Sequence, residues 1–167
     1  MPIFVQTEKG MKIELMVIGK TVSRYLQEGI DNYVKRTSHY VPFSITYLPD
    51  IKSTKSLTEE RQKELEGEAM LSQMQPGDYL VLLDERGKEF TSREFAAFID
   101  KKMVTVPKRL IFLVGGPYGF SKVVYARADD KISLSKMTFS HEMVRLFFVE
   151  QLYRAMTILR GEPYHHD

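Results

Sequence analysis

Two stretches of this chain, Tyr79–Leu83 (YLVLL) and Leu110–Val114 (LIFLV), are apolar or aromatic at every position rather than at every second one. A strand with one face in water alternates. One that is apolar throughout must be covered on both faces, which confines it to a parallel sheet with helices on each side. Between the two runs lies a helical segment, Ser92–Lys102, opened by Thr91 and Glu94 at capping-box spacing. Strand, helix, strand in this order predicts an α/β fold.

The rest of the chain extends the pattern. Lys12–Ile18 is a short apolar run closed by Gly19 and predicts a strand. Ser23–Lys35 places Tyr25, Leu26, Ile30, Tyr33 and Val34 at helical spacing, and Pro42–Leu48 alternates around Phe43, Ile45 and Tyr47. A polar loop, Asp50–Lys55, precedes Ser56 and Glu59, a second capping-box pair that opens a charged helix to about Met74. Pro76-Gly77-Asp78 is turn chemistry, and Lys131–Ser133 is a short late strand. With 167 residues, 43% of them hydrophobic, the chain can bury a full core as one domain, expected over 11–167 behind an N-terminal extension at 1–10.

The last helix, about Glu142–Leu159, is apolar around nearly its whole circumference, from Met143 and Val144 through Phe147 and Phe148 to Ile158 and Leu159. Such a helix needs cover on nearly all sides, and the expected cover is a second copy of the chain, a homodimer. Other classes are excluded by composition. With no cysteine there are no disulfides, zinc ribbons or thiol nucleophiles. No apolar run approaches the roughly 18 residues of a spanning helix, so no membrane is expected and the cytosol is the natural compartment. A net charge of +2 leaves no polybasic coat, so a nucleic-acid partner must be met by shape and a local patch.

Three segments could carry chemistry. Gly115-Gly116-Pro117-Tyr118-Gly119 follows the buried run LIFLV directly, where open α/β sheets bind ligands and where glycines let a ligand approach the backbone. Its spacing is not that of a dinucleotide fingerprint, and a tight turn is the plain alternative. The loop Leu134–Ser140 is rich in backbone donors and small hydroxyls, with Ser140 placed to cap the long helix. The tail, Arg160–Asp167, is polar and terminal, and such tails usually fray. His165 and His166 are adjacent, so on extended chain they point opposite ways; with no third ligand evident, no metal is expected. Gly19-Lys20-Thr21 lacks the upstream glycine of a phosphate loop and reads as a turn.

Taken in order, five segments resemble one family: MKIELMVIGK from Met11, LLDERGK from Leu82, VGGPYGF from Val114, SLSKMTFSHEMVRLFFVEQLYRA from Ser133, and RGEPYHH from Arg160. They are similar to the SPOUT-class methyltransferases that methylate N3 of a pseudouridine in large-subunit ribosomal RNA, the RlmH family. The resemblance runs from Met11 to His166. It implies a mostly parallel sheet flanked by helices, with a C-terminal trefoil knot that breaks the usual no-knot rule. It also implies S-adenosyl-L-methionine held by Leu83, Gly115 and the loop Leu134, Ser135, Lys136, Met137, Thr138 and Phe139. No metal is implied.

The family works as a homodimer whose site is completed by the partner's tail, which places Arg154, Tyr164 and His165 on the substrate side. Arg154 could hold a phosphate or base carbonyl, its structural alternative being an ion pair with Glu150 four residues earlier. Tyr164 could stack on or hydrogen-bond the flipped base, and His165 could accept the N3 proton or orient the base. The implied partner is the ribosome and its 23S rRNA, not DNA. Family members often carry Lys or Arg where this chain has His166, which weakens the tail's phosphate contact. The rival readings are a SPOUT-fold RNA-binding or ribosome-assembly factor without catalysis, a SPOUT enzyme with another RNA target, and an α/β domain binding a different nucleotide-like ligand.

Overall fold

The computed structural model describes residues 10–52 and 54–166. Apart from Gly10, the expected extension over 1–10 lies outside the described residues, as does Asp167. The elements alternate as β1 (Lys12–Ile18), α1 (Arg24–Thr37), β2 (Phe43–Leu48), α2 (Glu59–Leu71), β3 (Tyr79–Glu89), α3 (Ser92–Thr105), β4 (Arg109–Val114), α4 (Lys122–Arg127), β5 (Asp130–Ser133) and α5 (His141–Leu159). The five strands form one sheet in the order β2-β1-β4-β3-β5, and every pairing is parallel.

The continuous apolar runs are central strands feeding two cores. In β4, Leu110, Phe112 and Val114 enter the core beneath α1, α3 and α5, while Ile111 and Leu113 enter the core beneath α2 and α4. β1 divides likewise, Ile13, Leu15 and Val17 to one side and Met16 to the other. Period-2 side-chain placement with both faces covered is what demanded an unbroken apolar sequence.

Helix starts follow local chemistry. The Thr91–Glu94 capping box forms in both directions, with Glu94 N–H donating to Thr91 Oγ1 at 3.1 Å and Thr91 N–H donating to Glu94 Oε1 at 2.8 Å. The expected Ser56–Glu59 box does not form. Ser56 is spent in a 3₁₀ turn, Thr54–Ser56, so the helix begins later and Thr58 is the cap, accepting from Arg61 N–H at 3.0 Å. Ser140 caps α5 as expected, accepting from Met143 N–H at 3.2 Å.

Strand β3 outruns its apolar sequence. Its polar second half carries no strand signal and is held by β5, because Ile132 pairs with Leu83 and again with Lys88. The segment between them bends around β5 so tightly that a Cβ on Gly87 would lie 2.5 Å from the Ile132 nitrogen. Only glycine fits there.

Much of the cover expected from a second chain comes from within this one. Helices α1 and α3 both pack on α5, burying Phe148, Val149, Leu152, Ala155 and Met156. Phe147 and Leu159, each 37% exposed, are the large apolar residues of the helix left facing outward. The same helix buries Arg145, whose guanidinium donates to the Ile18 carbonyl at 2.7 Å, the Gly19 carbonyl at 2.9 Å and Thr21 Oγ1 at 3.0 Å. This pins α5 to the carboxyl end of β1. No helix among the described residues is long and apolar enough to cross a membrane.

Candidate functional site

The carboxyl ends of β4 and β5, with β3 at the end of its apolar run, open on a cavity of about 400 Å³, at the edge where parallel α/β sheets bind ligands. Leu83 and Asp84 close one side, Gly115, Gly116, Pro117 and Phe120 another, and Ser133, Leu134, Ser135, Met137, Thr138, Phe139 and Ser140 a third. His141 and Val144, in the first turn of α5, complete the wall. Two of the three candidate segments singled out in the sequence, the glycine turn and the loop Leu134–Ser140, therefore face one space, together with Leu83.

Each wall is shaped by its own residues. The glycine turn closes on itself, Gly119 N–H donating to the Gly116 carbonyl at 3.1 Å, and Gly119 sits at φ +85° where a side chain would be strained. The loop after β5 is braced by its serines: Ser133 Oγ donates to the Ser135 carbonyl at 2.9 Å, and Ser135 Oγ accepts from Met137 N–H at 2.9 Å. Lys136 stands apart from its neighbours. Its side chain is 88% exposed, with Nζ 3.8 Å from Glu89, and it is not among the residues that line the cavity. Asp84 accepts a 2.6 Å bond from the Tyr125 hydroxyl, which burial and then that bond push up to about 12.

Behind the glycine turn lies a residue the sequence did not flag. Glu66 of α2 is 2% exposed, and both its carboxyl oxygens lie 2.5 Å from where a Cβ on Gly116 would stand. Gln62 Nε2 donates to Oε2 at 3.3 Å, while Oε1 has no hydrogen-bond partner among the described residues. Burial holds this carboxyl above the usual carboxylate range, with Asp50 pushing the same way and Gln62 and His141 opposing.

Arg154, Tyr164 and His165 are brought together elsewhere, at the far end of α5. Glu150 organises them: it accepts from Arg154 Nη2 at 2.8 Å and from the Tyr164 hydroxyl at 2.7 Å. The Arg154 guanidinium also lies over the Tyr164 ring at 4.7 Å and meets His165 Nδ1 at 3.1 Å. Tyr33 of α1 joins through a 3.3 Å hydroxyl contact with Tyr164, whose ring packs edge-on against Tyr153 at 4.8 Å. The tail is thus docked, not frayed. Burial, then the bonds with Tyr33 and Glu150, push the Tyr164 hydroxyl well above the usual phenol range, so it is a donor at neutral pH. Glu150 likewise keeps Arg154 protonated.

Within one chain the two groups are separate. Val144 bounds the cavity and Arg154 follows ten residues later, which is about 15 Å of helix. A smaller hollow of about 270 Å³ lies between them, beyond Leu134 and Phe139, and reaches Phe147 and Glu150. Sequence reasoning missed Glu66, Tyr33 and His141. Glu150 alone had a signal, its i, i+4 spacing to Arg154.

Comparison with known proteins gives the family. Residues 11–165 match the family described as "Predicted SPOUT methyltransferase". Ribosomal RNA large subunit methyltransferase H of Parabacteroides distasonis is 64% identical over 157 residues, covering 94% of this chain and 100% of that one. The protein of the same name from Bacteroides fragilis is 57% identical with the same coverage. That from Christiangramia forsetii is 59% identical, over 93% of this chain and 99% of its own. A probable methylase family protein from Haemophilus influenzae is a looser likeness, with a TM-score of 0.49 at 12% identity over 90% of this chain and 67% of that one. The chain, with its all-parallel sheet and its cavity at the strand ends, belongs to the SPOUT methyltransferases and, among them, to the family of ribosomal RNA large subunit methyltransferase H.

Proposed function

We propose that this protein is a cytoplasmic methyltransferase that uses S-adenosyl-L-methionine to methylate N3 of a pseudouridine in the 23S rRNA of the assembled ribosome, acting as a homodimer. The observation that carries the reading is the cavity itself. It is of ligand size, walled by glycines, small hydroxyls and apolar side chains, and lined by Leu83, Gly115 and all of the loop Leu134–Phe139 except Lys136. These are the positions the family resemblance implies, and an adenosyl group clamped by backbone needs little else. Bound there, the co-substrate would supply a methyl group on a sulfonium, already a good leaving group.

The chain's own contribution is orientation, which can lower the barrier by several kcal/mol on the order of effective-molarity effects. Arg154, held charged by Glu150, suits a phosphate or base carbonyl. Tyr164 acts as a hydrogen-bond donor and stacking surface. An arginine can only donate, so His165 Nδ1 accepts from it and the neutral ring carries its proton on Nε2. In this arrangement His165 orients a base carbonyl better than it accepts the N3 proton.

The distance along α5 supports a two-chain site, with the Arg154–Tyr164–His165 group of one protomer serving the cavity of its partner. The bend of residues 83–88 around β5 supports the knot that the family resemblance implies.

The test is methyl transfer from labelled S-adenosyl-L-methionine to ribosomes of cells lacking the gene, with mass spectrometry locating the mark. Label on N3 of one pseudouridine is expected. Cofactor binding without transfer to ribosomes or naked RNA would favour the non-catalytic RNA-binding reading.

A further inference from the structure

We propose that Glu66 sets the charge preference of the cavity, its carboxylate behind Gly116 favouring a sulfonium cation over the neutral thioether that remains after methyl transfer. The inference rests on the methyltransferase reading and assigns to it a residue outside the cavity wall. The geometry is specific. Gly116 lines the cavity, and because it has no side chain the carboxyl oxygens can stand 2.5 Å from where its Cβ would be. One thickness of backbone therefore separates a buried acid from the ligand space.

That acid is incompletely satisfied from within the chain. Its one hydrogen bond, from Gln62, is long at 3.3 Å, and Oε1 has no partner among the described residues. Asp50 faces it with like charge, while Gln62 and, from the cavity rim, His141 favour ionisation. A buried charge without a partner is costly, so a chain that carries one gains from a cation arriving beside it. Asp84 and Glu85 also bound the cavity, but they are not sealed behind the wall, and the hydroxyl of Tyr125 already engages Asp84.

The chemistry gives the preference a use. When the methyl group moves, the C–S bond breaks with its electron pair left on sulfur, a new N–C bond forms at the base, and the N3 proton is lost to solvent water. The cavity's occupant passes from cation to neutral. A fixed negative charge behind Gly116 then loses its counterpart, which weakens retention of the product relative to the substrate.

The experiment is calorimetric titration of the full chain, wild type and Glu66→Gln, with S-adenosyl-L-methionine and with S-adenosylhomocysteine. The sulfonium should lose about tenfold in affinity and the thioether no more than about twofold, a size ordinary for one charge–charge contact in a poorly solvated site. The ratio is read within one variant, so it survives partial destabilisation. Glu66→Asp, which keeps the charge, should hold the ratio near wild type. A ratio unmoved by Glu66→Gln, with both ligands still bound by the wild type, overturns the inference alone. A wild type that binds neither ligand overturns the methyltransferase reading and this inference with it.

Discussion

The two ends of the sheet carry buried acids in opposite condition. At the amino end, Asp78 meets the fork of Arg109, with Nη2 at 2.6 Å and Nε at 3.0 Å, while Nη1 reaches Glu14 at 3.2 Å and Nη2 also donates to the Gln73 carbonyl. Gln75 N–H donates to Asp78 as well, at 2.7 Å. At the carboxyl end, Glu66 has, among the described residues, one long bond and an orphan oxygen behind a glycine. The first acid is closed within the chain, and the second is left for something to complete. Where only stability is at stake, buried polar groups are satisfied; incomplete satisfaction beside a cavity marks a place where a ligand belongs. Variants at the amino end should therefore move stability without function, and variants around the cavity or its completing tail should move function first.

The largest expected effect tests the tail. Deleting residues 164–167 should lower turnover by about 100-fold or more, with cofactor affinity measured by calorimetry within about twofold. It should also cost about 1–2 kcal/mol in denaturant unfolding, because the Tyr164 ring packs on Tyr153 and its hydroxyl on Glu150. Full turnover of the truncated homodimer would remove the tail from the mechanism. A mixed dimer of the truncated chain with a Gly115→Trp chain should keep one working site if tails act across the dimer, and none if they act within a chain.

Next is Gly115→Trp alone, expected to weaken cofactor binding at least about 100-fold by filling the cavity wall. A Cβ at Gly115 would already stand 3.2 Å from Phe120 Cζ, so the substitution should also lower the melting temperature. Gly115→Ala should separate the two effects, keeping most of the binding while showing a small thermal loss.

Asp78→Asn is the matching change at the amino end. It should destabilise the fold by about 3 kcal/mol, the cost of leaving Arg109 with Glu14 as its remaining counter-charge, and leave cofactor affinity unchanged in the folded protein.

The smallest effects concern pH and have opposite signs at the two ends. Burial raises the Asp78 pKa, but the bonds from Arg109 and Gln75 outweigh it and hold it below the usual range. Its contribution is therefore present above the unfolded value of about 4 and is lost as pH falls through the folded value. Burial raises Glu66, so ionising it in the fold is unfavourable, and its penalty appears as pH rises from the unfolded value through the folded one. Glu66→Gln should thus be more stable than wild type at neutral pH, on the order of 1 kcal/mol, with the gain fading below pH 4. Urea unfolding across this range would read both, and a gain that persists in acid would contradict the assignment for Glu66.

Legibility in the sequence tracked how local each feature is. YLVLL and LIFLV announced strands covered on both faces because side-chain alternation is a property of a few consecutive residues. The Thr91–Glu94 box and the Ser140 cap were legible for the same reason, while the Ser56–Glu59 box misled because a 3₁₀ turn could take up Ser56 first. The glycine turn and the Leu134–Ser140 loop were each ambiguous alone, and the cavity they form was not readable from either. Its walls come from separate segments, and the titratable residues on them, Asp84, Glu85 and His141, share no spacing that pointed to it.

By itself the sequence determined the element order, the parallel sheet and, through five ordered segments, the family. Only the tertiary structure decided that α1 and α3 cover much of α5, that β3 continues past its apolar run by wrapping β5, and that the tail docks on Glu150. It alone brought Glu66 from α2 to the back of Gly116, 50 residues further along the chain. The division has a physical cause. Periodicity and capping are set by neighbours in sequence, whereas the partner of a buried charge, or the absence of one, is set by whatever the packing of distant elements brings within hydrogen-bond reach.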